Sequence, residues 1–439
     1  MKVYQSRRKL EYRKHPDIQL SRKIRRQRRR KRLTVLCMAV LSMVVFAAYS
    51  FGVYSPSGSK PLAGFFEAYS PFGSGSPAEQ PGQLPTEVEQ ADNEQPQTQE
   101  QQEQAASTKK QSTDNVYAAT MSGEVKESLA DLPERVYVPD VTRNVVDVID
   151  PKTFQIVDHF EVGQLPYHVT PTWDMSELYV NNEASNSFTI IDPRTGRPSG
   201  SVPVTFPYNF YYTPDGSKAI VVAERLQRIG FRDPKTWDLV GSVYIPWPGV
   251  DHLDFSKDGS YFLASSEWSG VVSKVDTNKM ELVDHADVGG LPIDIKLSPD
   301  GSVFYVANQG TMGVSVIDGD TMQQVDFIPT GEGAHGLQVS RDTKHLYVTN
   351  RLEGTVSVID FATRKVVDTW YTGGTPDMMQ ISPDGKQLWV SGRYDGAVYV
   401  LDTTNGKLLT TIYTGTEPHG LAYFPNPGRF SLGHNGVYR

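Results

Sequence analysis

The chain has 439 residues, a formal net charge of −8 and one cysteine, Cys37. A single cysteine excludes an intramolecular disulfide and a cysteine-based metal site, and the lack of a CxxCH motif excludes covalently attached c-type haem. Phosphate-loop, GxSxG and HExxH motifs are missing too, so the sequence matches none of the enzyme classes that these motifs mark.

The first 54 residues are predicted to anchor the chain in a membrane. Residues 1–32 hold 15 Lys or Arg and two acidic residues, whereas residues 33–54 carry no charge. Twenty-two apolar or small residues are long enough to span a bilayer as a helix. The basic segment stays cytoplasmic by the positive-inside rule, so we expect a single-pass protein of the cell membrane with an extracytoplasmic C-terminal part.

Two alternatives exist for this front end. A cleaved signal peptide is compatible with Val45-Phe46-Ala47, but the basic region is unusually long for a signal. The basic run is also a candidate nucleic-acid patch, although its position before an apolar span favours contact with anionic lipid. Residues 1–32 have a net charge of +13, which leaves −21 for the remainder. This acidic remainder argues against nucleic acid as the main partner.

Residues 55–134 are predicted to be a disordered linker. Most of this segment consists of Gln, Glu, Pro, Ser and Gly and offers few large apolar side chains to bury. Residues 123–132 carry a weak signal for one short helix. About 60 residues of coil reach on the order of 40 Å, so the domain that follows can stand off the membrane.

A repeat of four short apolar runs organises residues 135–424. The copy from Gly373 to Gly415 shows these runs separated by turn residues such as Pro-Asp-Gly, a pattern typical of strands. The aspartate that ends the third run recurs every 41–43 residues, at Asp150, Asp192, Asp233, Asp276, Asp318, Asp360 and Asp402. We interpret it as a turn cap rather than a calcium ligand.

Seven copies of this repeat predict an all-β fold, a seven-bladed β-propeller with four-stranded antiparallel blades. The array begins at a second strand, residues 135–138, and ends after a first strand, residues 420–423. The two ends of the array are therefore predicted to pair and complete the last blade.

The repeats resemble the YVTN family of β-propellers, which includes the YncE-type proteins. The family tetrapeptide stands here at residues 347–350, and SPDG (298–301 and 382–385), VSVID (314–318 and 356–360) and TGGTP (372–376) also resemble its repeat. The resemblance covers roughly residues 134–424 and implies the fold. It leaves the activity open, because similar propellers include cell-surface proteins without known chemistry, lactonases and the haem d1 domain of nitrite reductases.

One polar residue per blade is predicted to lie at the mouth of the central channel. These residues follow the start of each first strand by one or two places: His168, Asn209, His252, Asp294, His335, Asp377 and His419. Imidazoles and carboxylates suit a divalent cation or a general acid–base pair. A divalent metal is thus the candidate cofactor, with His168, His252, His335 and His419 as candidate ligands.

The alternative is that these residues only line a water-filled channel. Their register slips by one place between His168 and His335, which argues against a symmetric cage of ligands.

A second set of charged residues is predicted at the same mouth, in the loops that leave the second strands. It comprises Glu183, Glu224, Glu267, Arg351 and Arg393, with Gln309 at the equivalent place in one blade. Such a rim would be acidic on one side and basic on the other, and would orient a mixed-charge ligand or a partner protein. The alternative is a set of ordinary surface ion pairs.

Residues 425–439 form a tail in which Pro and Gly exclude a regular element. We expect the tail to fold over the propeller near the closing blade, with His434 at the surface.

The predicted function is binding: a membrane-anchored propeller that acts as a scaffold for a small ligand, a metal or a protein partner. A metal-assisted enzyme similar to lactonases or lyases is the main alternative, and no catalytic residue is predicted. The resemblance also implies a haem d1-type propeller and a nucleic-acid-binding propeller as competing hypotheses.

Overall fold

The computed structural model describes residues 115–434 and 437–439, and 28 strands form seven four-stranded sheets within them. In chain order the first strands are β1 (Arg135–Asp140), β2 (Val145–Asp150), β3 (Gln155–Glu161), β4 (Pro166–Pro171), β5 (Leu178–Asn182), β6 (Ser187–Asp192) and β7 (Arg197–Pro203). They are followed by β8 (Asn209–Tyr212), β9 (Ala219–Ala223), β10 (Arg228–Arg232), β11 (Leu239–Tyr244), β12 (Val250–Phe255), β13 (Tyr261–Ser266), β14 (Val271–Asp276) and β15 (Glu281–Asp287).

The remaining blades repeat the same arrangement. Their strands are β16 (Pro292–Leu297), β17 (Phe304–Asn308), β18 (Gly313–Asp318), β19 (Gln323–Pro329), β20 (Ala334–Val339), β21 (His345–Asn350), β22 (Thr355–Asp360), β23 (Lys365–Tyr371), β24 (Pro376–Ile381), β25 (Gln387–Gly392), β26 (Ala397–Asp402), β27 (Leu408–Tyr413) and β28 (Ala422–Phe424). Blades 1 to 6 take consecutive groups of four strands from β4 to β27, and blade 7 joins β28 to β1, β2 and β3. The predicted seven-bladed propeller is confirmed.

The burial of each strand follows its place in the blade. The first strands are buried almost along their whole length, as in β12, β16 and β24, because neighbouring blades cover both of their faces. The fourth strands lie at the outer edge and are mostly exposed, with a single buried residue in β15 and β23. The core therefore sits between the blades.

Blade 7 closes as predicted. Strand β28 pairs antiparallel with β1, so that Tyr423 faces Val136 and Ala422 faces Tyr137. This pairing leaves no open first or last blade, which would expose a strand edge and an apolar face.

The recurring aspartates cap turns. The Asp360 Oδ1 atom accepts a hydrogen bond from the Thr363 backbone N–H at 2.8 Å, and Asp150 Oδ1 accepts one from the Lys152 N–H at 2.8 Å. The local interpretation of these residues is confirmed at both turns. At the same end of the blades, Gly301 and Gly385 adopt φ values of +76° and +74° in the Pro-Asp-Gly turns, which glycine adopts at little cost.

Residues 115–134 pack on the propeller, so the predicted linker of residues 55–134 extends too far. Short 3-10 helices form at Ala118–Thr120 and Glu127–Leu129, where the sequence indicated one helix. Tyr117 is buried and donates a hydrogen bond from its hydroxyl to the Leu297 carbonyl at 2.9 Å. The few apolar residues of this segment follow directly on a long polar stretch, so composition gave no sign that they pack on the propeller.

The predicted membrane span at residues 33–54 lies outside the described residues, as do the basic segment and most of the linker. Within residues 115–434 and 437–439, no helix is long and apolar enough to cross a membrane.

The tail lies across one end of the channel. Its backbone bonds the inner ends of two blades, with Tyr212 N–H donating to the Leu432 carbonyl at 2.8 Å and Ser431 N–H donating to the Trp173 carbonyl at 3.0 Å. The Arg439 guanidinium donates to Asp254 Oδ1 at 2.6 Å. This is the end of the channel where the first strands end, next to the Pro-Asp-Gly turns.

Candidate metal and ligand site in the central channel

The structure brings all seven predicted channel residues into the interior of the ring. Their exposed fractions lie between 0% and 4%: His168, Asn209, His252, Asp294, His335, Asp377 and His419. Six of them belong to the first strands β4, β8, β12, β16, β20 and β24, and His419 precedes β28. They therefore lie inside the channel rather than at its mouth.

The first strands carry a bulge at the polar position. In β4, β12, β16, β20 and β24 the pairing with the second strand shifts at the polar position, for example between Pro166 and Val169. A bulge places two residues opposite one and re-aims their side chains. Residues one place after the strand start lie around Asp377 and residues two places after it form a second group, and the two groups meet where the His168 and His419 rings are 4.8 Å apart.

The first cluster surrounds Asp377. Its carboxylate accepts a hydrogen bond from Arg351 Nε at 3.1 Å, and His335 Nδ1 and His419 Nε2 lie 2.9 Å and 3.5 Å from its oxygens. Burial opposes ionisation of Asp377, but Arg351, His335 and His419 outweigh it and hold the pKa of this carboxyl well below its usual range. Asp377 is thus an anion neutralised from three sides.

Two of the four candidate metal ligands, His335 and His419, lie in this cluster. Arg351 also bonds His335 Nε2, so both ring nitrogens of His335 face protein groups. His419 lies against Asp377 and, through Nδ1 at 3.1 Å, against the Tyr167 carbonyl. The four candidate ligands do not form one cage, as the slip in register indicated: His335 and His419 face Asp377, whereas His168 and His252 belong to a second group.

The second cluster joins His168 and His252 to a residue of the tail, His434. One ligand nitrogen from each of these side chains lies within 4.8 Å of the other two. The ring centroids of His252 and His434 are 4.5 Å apart, and those of His168 and His434 are 5.1 Å apart. We call these three residues the histidine cluster.

His434 is 1% exposed, so its predicted surface position is wrong. The backbone of Gly433, at φ +92°, packs against Phe210 and Tyr211, and this contact turns the next residue into the channel. The tail does not repeat, so no period in the sequence indicated its register.

Neighbouring polar groups orient the histidine cluster. His252 Nδ1 lies 2.7 Å from Asp251 Oδ1, and His434 Nδ1 lies 2.9 Å from Asn209 Nδ2. Burial lowers the pKa of His252, but Asp251 and Asp294 outweigh this effect and raise it. Burial and then the charge of His252 lower the pKa of His434 to about 3, so His434 is neutral near pH 7.

Asp294 is the second buried carboxylate beside the histidine cluster. Its Oδ1 atom lies 2.9 Å from Lys296 Nζ and 3.6 Å from His434 Nε2. Burial alone would raise its pKa, but Lys296, His434 and His252 hold the pKa well below the usual range. Asp251 and Lys296 were absent from the sequence-based site. The Asp-His pair at 251–252 was the available signal for the first of them.

The predicted charged rim is formed in part. Glu183 is buried and accepts a hydrogen bond from Arg225 Nε at 2.9 Å, and Arg351 is directed inward to Asp377. Only Glu224, Glu267 and Arg393 remain partly exposed at the mouth. The rim prediction is therefore wrong for Glu183 and Arg351, since burial and a partner remove both from the surface.

Two carboxyl groups on the acidic side of the mouth have raised pKa values. Burial, then Asp251, Glu183 and Glu267, raise the pKa of Glu224 to about 8. Burial and Asp251 likewise raise the pKa of Glu267 to about 7, against an opposing effect of Arg351. On the basic side Arg393 Nε donates to Glu417 Oε1 at 2.9 Å.

Exposed apolar side chains surround this mouth. They lie in the turns between second and third strands of blades 2 to 6, with exposed fractions from 42% to 61%: Leu226, Trp268, Met312, Leu352 and Tyr394. We call them the apolar ring. The ring could not be predicted as a set, because its members follow the rim positions at distances of one to three residues and share no residue type.

A separate small cavity of about 30 Å³ lies at the tail end of the channel, between Tyr117, Arg341 and Tyr438. It has room for about one water molecule and none of the three histidines lines it, so it is no candidate for a ligand site.

The comparisons with known proteins agree with this architecture. Among solved structures, hydrazine synthase of Kuenenia stuttgartiensis is 21% identical with a TM-score of 0.51, covering 58% of this chain and 88% of that chain. Dihydro-haem d1 dehydrogenase NirN in complex with DHE is 16% identical with a TM-score of 0.53, covering 68% and 77%. A functionally unknown protein from Desulfotomaculum acetoxidans DSM 771 is 18% identical with a TM-score of 0.57, covering 66% and 98%.

These likenesses show the fold alone. No curated protein matches the chain in sequence. The YNCE-like beta-propeller family model matches residues 125–427, which includes all seven blades and the end of the N-terminal segment. The chain belongs to the YncE-like β-propeller family.

Proposed function

We propose that this protein is a membrane-tethered, extracytoplasmic binding module that docks a protein partner on the mouth of its channel. The observation that carries the proposal is the apolar ring, which surrounds the mouth on five consecutive blades. Exposed aromatic and Met side chains are enriched at protein interfaces, and apolar side chains that recur on neighbouring blades of one face favour an interaction site there.

Charge complementarity favours a partner with a basic residue at the centre of the interface. Glu224, Glu267 and Asp251 lie close enough to raise the pKa values of both glutamates. A Lys or Arg side chain of the partner would relieve this repulsion, whereas an acidic ligand would increase it. Arg393 is already paired with Glu417, which leaves the two glutamates as the groups that a basic side chain of the partner would ionise and pair with.

Site-specific photo-crosslinking in producing cells tests the docking proposal. A photoreactive residue at Trp268 or Tyr394 is expected to capture the same partner. The same residue at Val283 or Val367, which are exposed on outer strands, should capture none. Equal adducts from both pairs of positions, or none from the apolar ring, would contradict the proposal.

The captured partner then allows a quantitative check. We expect Trp268→Ala to weaken its binding at least tenfold, as for an aromatic residue at the centre of an interface. At pH 9, above the raised pKa values of both glutamates, the double variant Glu224→Gln, Glu267→Gln should slow association and reduce its dependence on salt. Tyr413→Ala is the matched control, because Tyr413 is exposed on an outer strand.

The tether is proposed from residues 1–54, which combine a basic segment with 22 uncharged residues. The full chain should stay with the membrane fraction in high salt and alkali. Protease added outside the cytoplasmic membrane should release the propeller and spare residues 1–32. Extraction by salt alone would contradict an anchor.

A further inference from the structure

We propose that His168, His252 and His434 bind one divalent first-row transition metal ion inside the channel, and that the tail supplies the third ligand. The three side chains come from blade 1, blade 3 and the tail, and their ligand nitrogens lie within 4.8 Å of one another. This proposal stands apart from the docking proposal, because none of its residues belongs to the apolar ring.

The surroundings of His252 point to a ligand. Both of its ring nitrogens are buried and make no hydrogen bond among the described residues, although Nδ1 lies 2.7 Å from Asp251 Oδ1. Metal-binding histidines commonly direct one ring nitrogen to a carboxylate and offer the other to the metal. A buried polar atom without a partner is costly, and a metal ion at Nε2 would offset this cost.

The remaining two ligands are held in place as well. His434 contacts Asn209 through Nδ1 at 2.9 Å, and its backbone N–H donates to the Phe210 carbonyl at 3.1 Å. His168 stacks edge-on against His252 and His434, with ring centroids 5.6 Å and 5.1 Å apart. All three rings are at most 1% exposed, so few rotamers are open to them.

The chemistry of the ligands selects the class of metal. Three imidazoles without a thiolate suit Zn²⁺, Cu²⁺, Ni²⁺ or Co²⁺ rather than Ca²⁺ or Mg²⁺, which prefer oxygen ligands. Tetrahedral Zn–N bonds of about 2.0–2.1 Å place neighbouring nitrogens about 3.3 Å apart. Binding therefore draws the three ligand nitrogens together by as much as about 1.5 Å.

Charge balance supports a cation at this place. Asp251 and Asp294 flank the histidine cluster, and Lys296 neutralises only Asp294 at 2.9 Å. A divalent ion beside His252 would face the carboxylate of Asp251 directly across the ring. Three protein ligands leave a fourth position for water or an incoming group.

Metal binding by the purified full chain in detergent tests the proposal. After chelator treatment and dialysis, we expect one equivalent of Zn²⁺ to bind by calorimetry, and Co²⁺ to give the intense visible bands of a tetrahedral site. His434→Gln and His252→Gln should each lower the Zn²⁺ affinity at least a hundredfold and abolish the Co²⁺ bands. His159→Ala, an exposed histidine of the outer strand β3, is the control and should bind like the wild type.

A positioning test separates ligand from support. Asp251→Asn should keep the stoichiometry of one but lower the affinity about 10- to 100-fold, as for carboxylates that orient a metal-binding histidine elsewhere. Thermal unfolding of each chelator-treated variant shows whether the propeller remains folded. Less than 0.1 equivalent of Zn²⁺ on the folded wild type would overturn the site, and unchanged affinity in His434→Gln would overturn the role of the tail.

Discussion

At the scale of single residues, the channel separates two kinds of buried charge. Asp377 is compensated by Arg351 and two histidines, whereas Glu224 at the mouth has a raised pKa because burial and like charges outweigh its cationic neighbour Arg225. The surroundings of Asp377 stabilise its ionised form, whereas those of Glu224 favour its protonated form. The two groups should therefore respond differently to substitution and to pH.

Asp377→Asn is expected to destabilise the propeller by about 3–5 kcal/mol, because it leaves the buried Arg351 guanidinium without its anion. Chemical denaturation of the variant and the wild type measures this difference. Asp131→Asn, at an exposed position of the N-terminal segment, should change the free energy of unfolding by less than about 0.5 kcal/mol. A loss below about 1 kcal/mol for Asp377→Asn would show that water replaces the carboxylate.

Glu224→Gln is expected to change how stability depends on pH. The pKa of Glu224 rises from 4.5 to about 8, so the folded chain binds more protons than the unfolded chain in this interval. Stability then falls as pH increases from about 5 to 8. The neutral Gln removes this loss, so the variant should melt higher than the wild type at pH 8 and equally at pH 5.

The control for this titration is Glu161→Gln, which changes an exposed residue of β3. It should show the same difference from the wild type at both pH values. A Glu224→Gln variant that behaved like Glu161→Gln would contradict the raised pKa.

At the scale of elements, the closing strand β28 holds the ring together with only three residues. Tyr423 compensates for this short length because its ring is 3% exposed, packs near Trp389 at a centroid distance of 6.0 Å, and directs its hydroxyl to Glu134. The strand thus combines backbone pairing with one large buried side chain between blades.

Tyr423→Ala should cost about 3–5 kcal/mol, as for buried aromatic residues in general when they are cut to Ala. Because blade 7 joins both ends of the ring, unfolding should remain a single transition with a lower midpoint. Tyr413→Ala removes the same side chain from a position that is 77% exposed and should cost little. Similar losses for the two variants, measured by urea denaturation, would contradict this role of β28.

The elements also show what the sequence could predict. Seven aspartates with a regular period and the phase of the array were sufficient for the blades and for the pairing of β28 with β1, because each blade repeats the same local turns. The identity of the channel residues followed from the same alignment. The slip that separates these residues into two groups was visible in the sequence, but the bulge that gives the two places different directions was not, because a bulge depends on how a first strand meets its neighbours.

The positions of the non-repeating segments could not be predicted from the repeats for a related reason. Residues 115–134 and the tail have no second copy to align with, and their positions depend on tertiary contacts such as Tyr117 with Leu297 and Ser431 with Trp173. His434 was therefore assigned to the surface, although it completes the histidine cluster. Function-related residues in a repeat protein can thus come from the part that breaks the repeat.

At the scale of the whole molecule, the proposed metal would link blades 1 and 3 to the tail. A ligand that binds only the folded state stabilises it by mass action, by about 2.7 kcal/mol at a hundred times the dissociation constant. We therefore expect Zn²⁺ to raise the melting temperature of the full chain by several degrees. His434→Gln should show no such increase, and an equal increase in this variant would point to adventitious metal on the surface.

The N-terminal segment enters the propeller on the face of the Pro-Asp-Gly turns, where Asn115 Nδ2 donates to Thr343 Oγ1 at 2.8 Å and Arg439 lies over the Tyr117 ring. The apolar ring opens on the opposite face. Any tension applied through residues 1–114 would therefore act first on the face of the Pro-Asp-Gly turns, where residues 115–117 contact the propeller and the tail. A partner bound to the apolar ring would lie on the opposite face, so this force would not act on the interface directly.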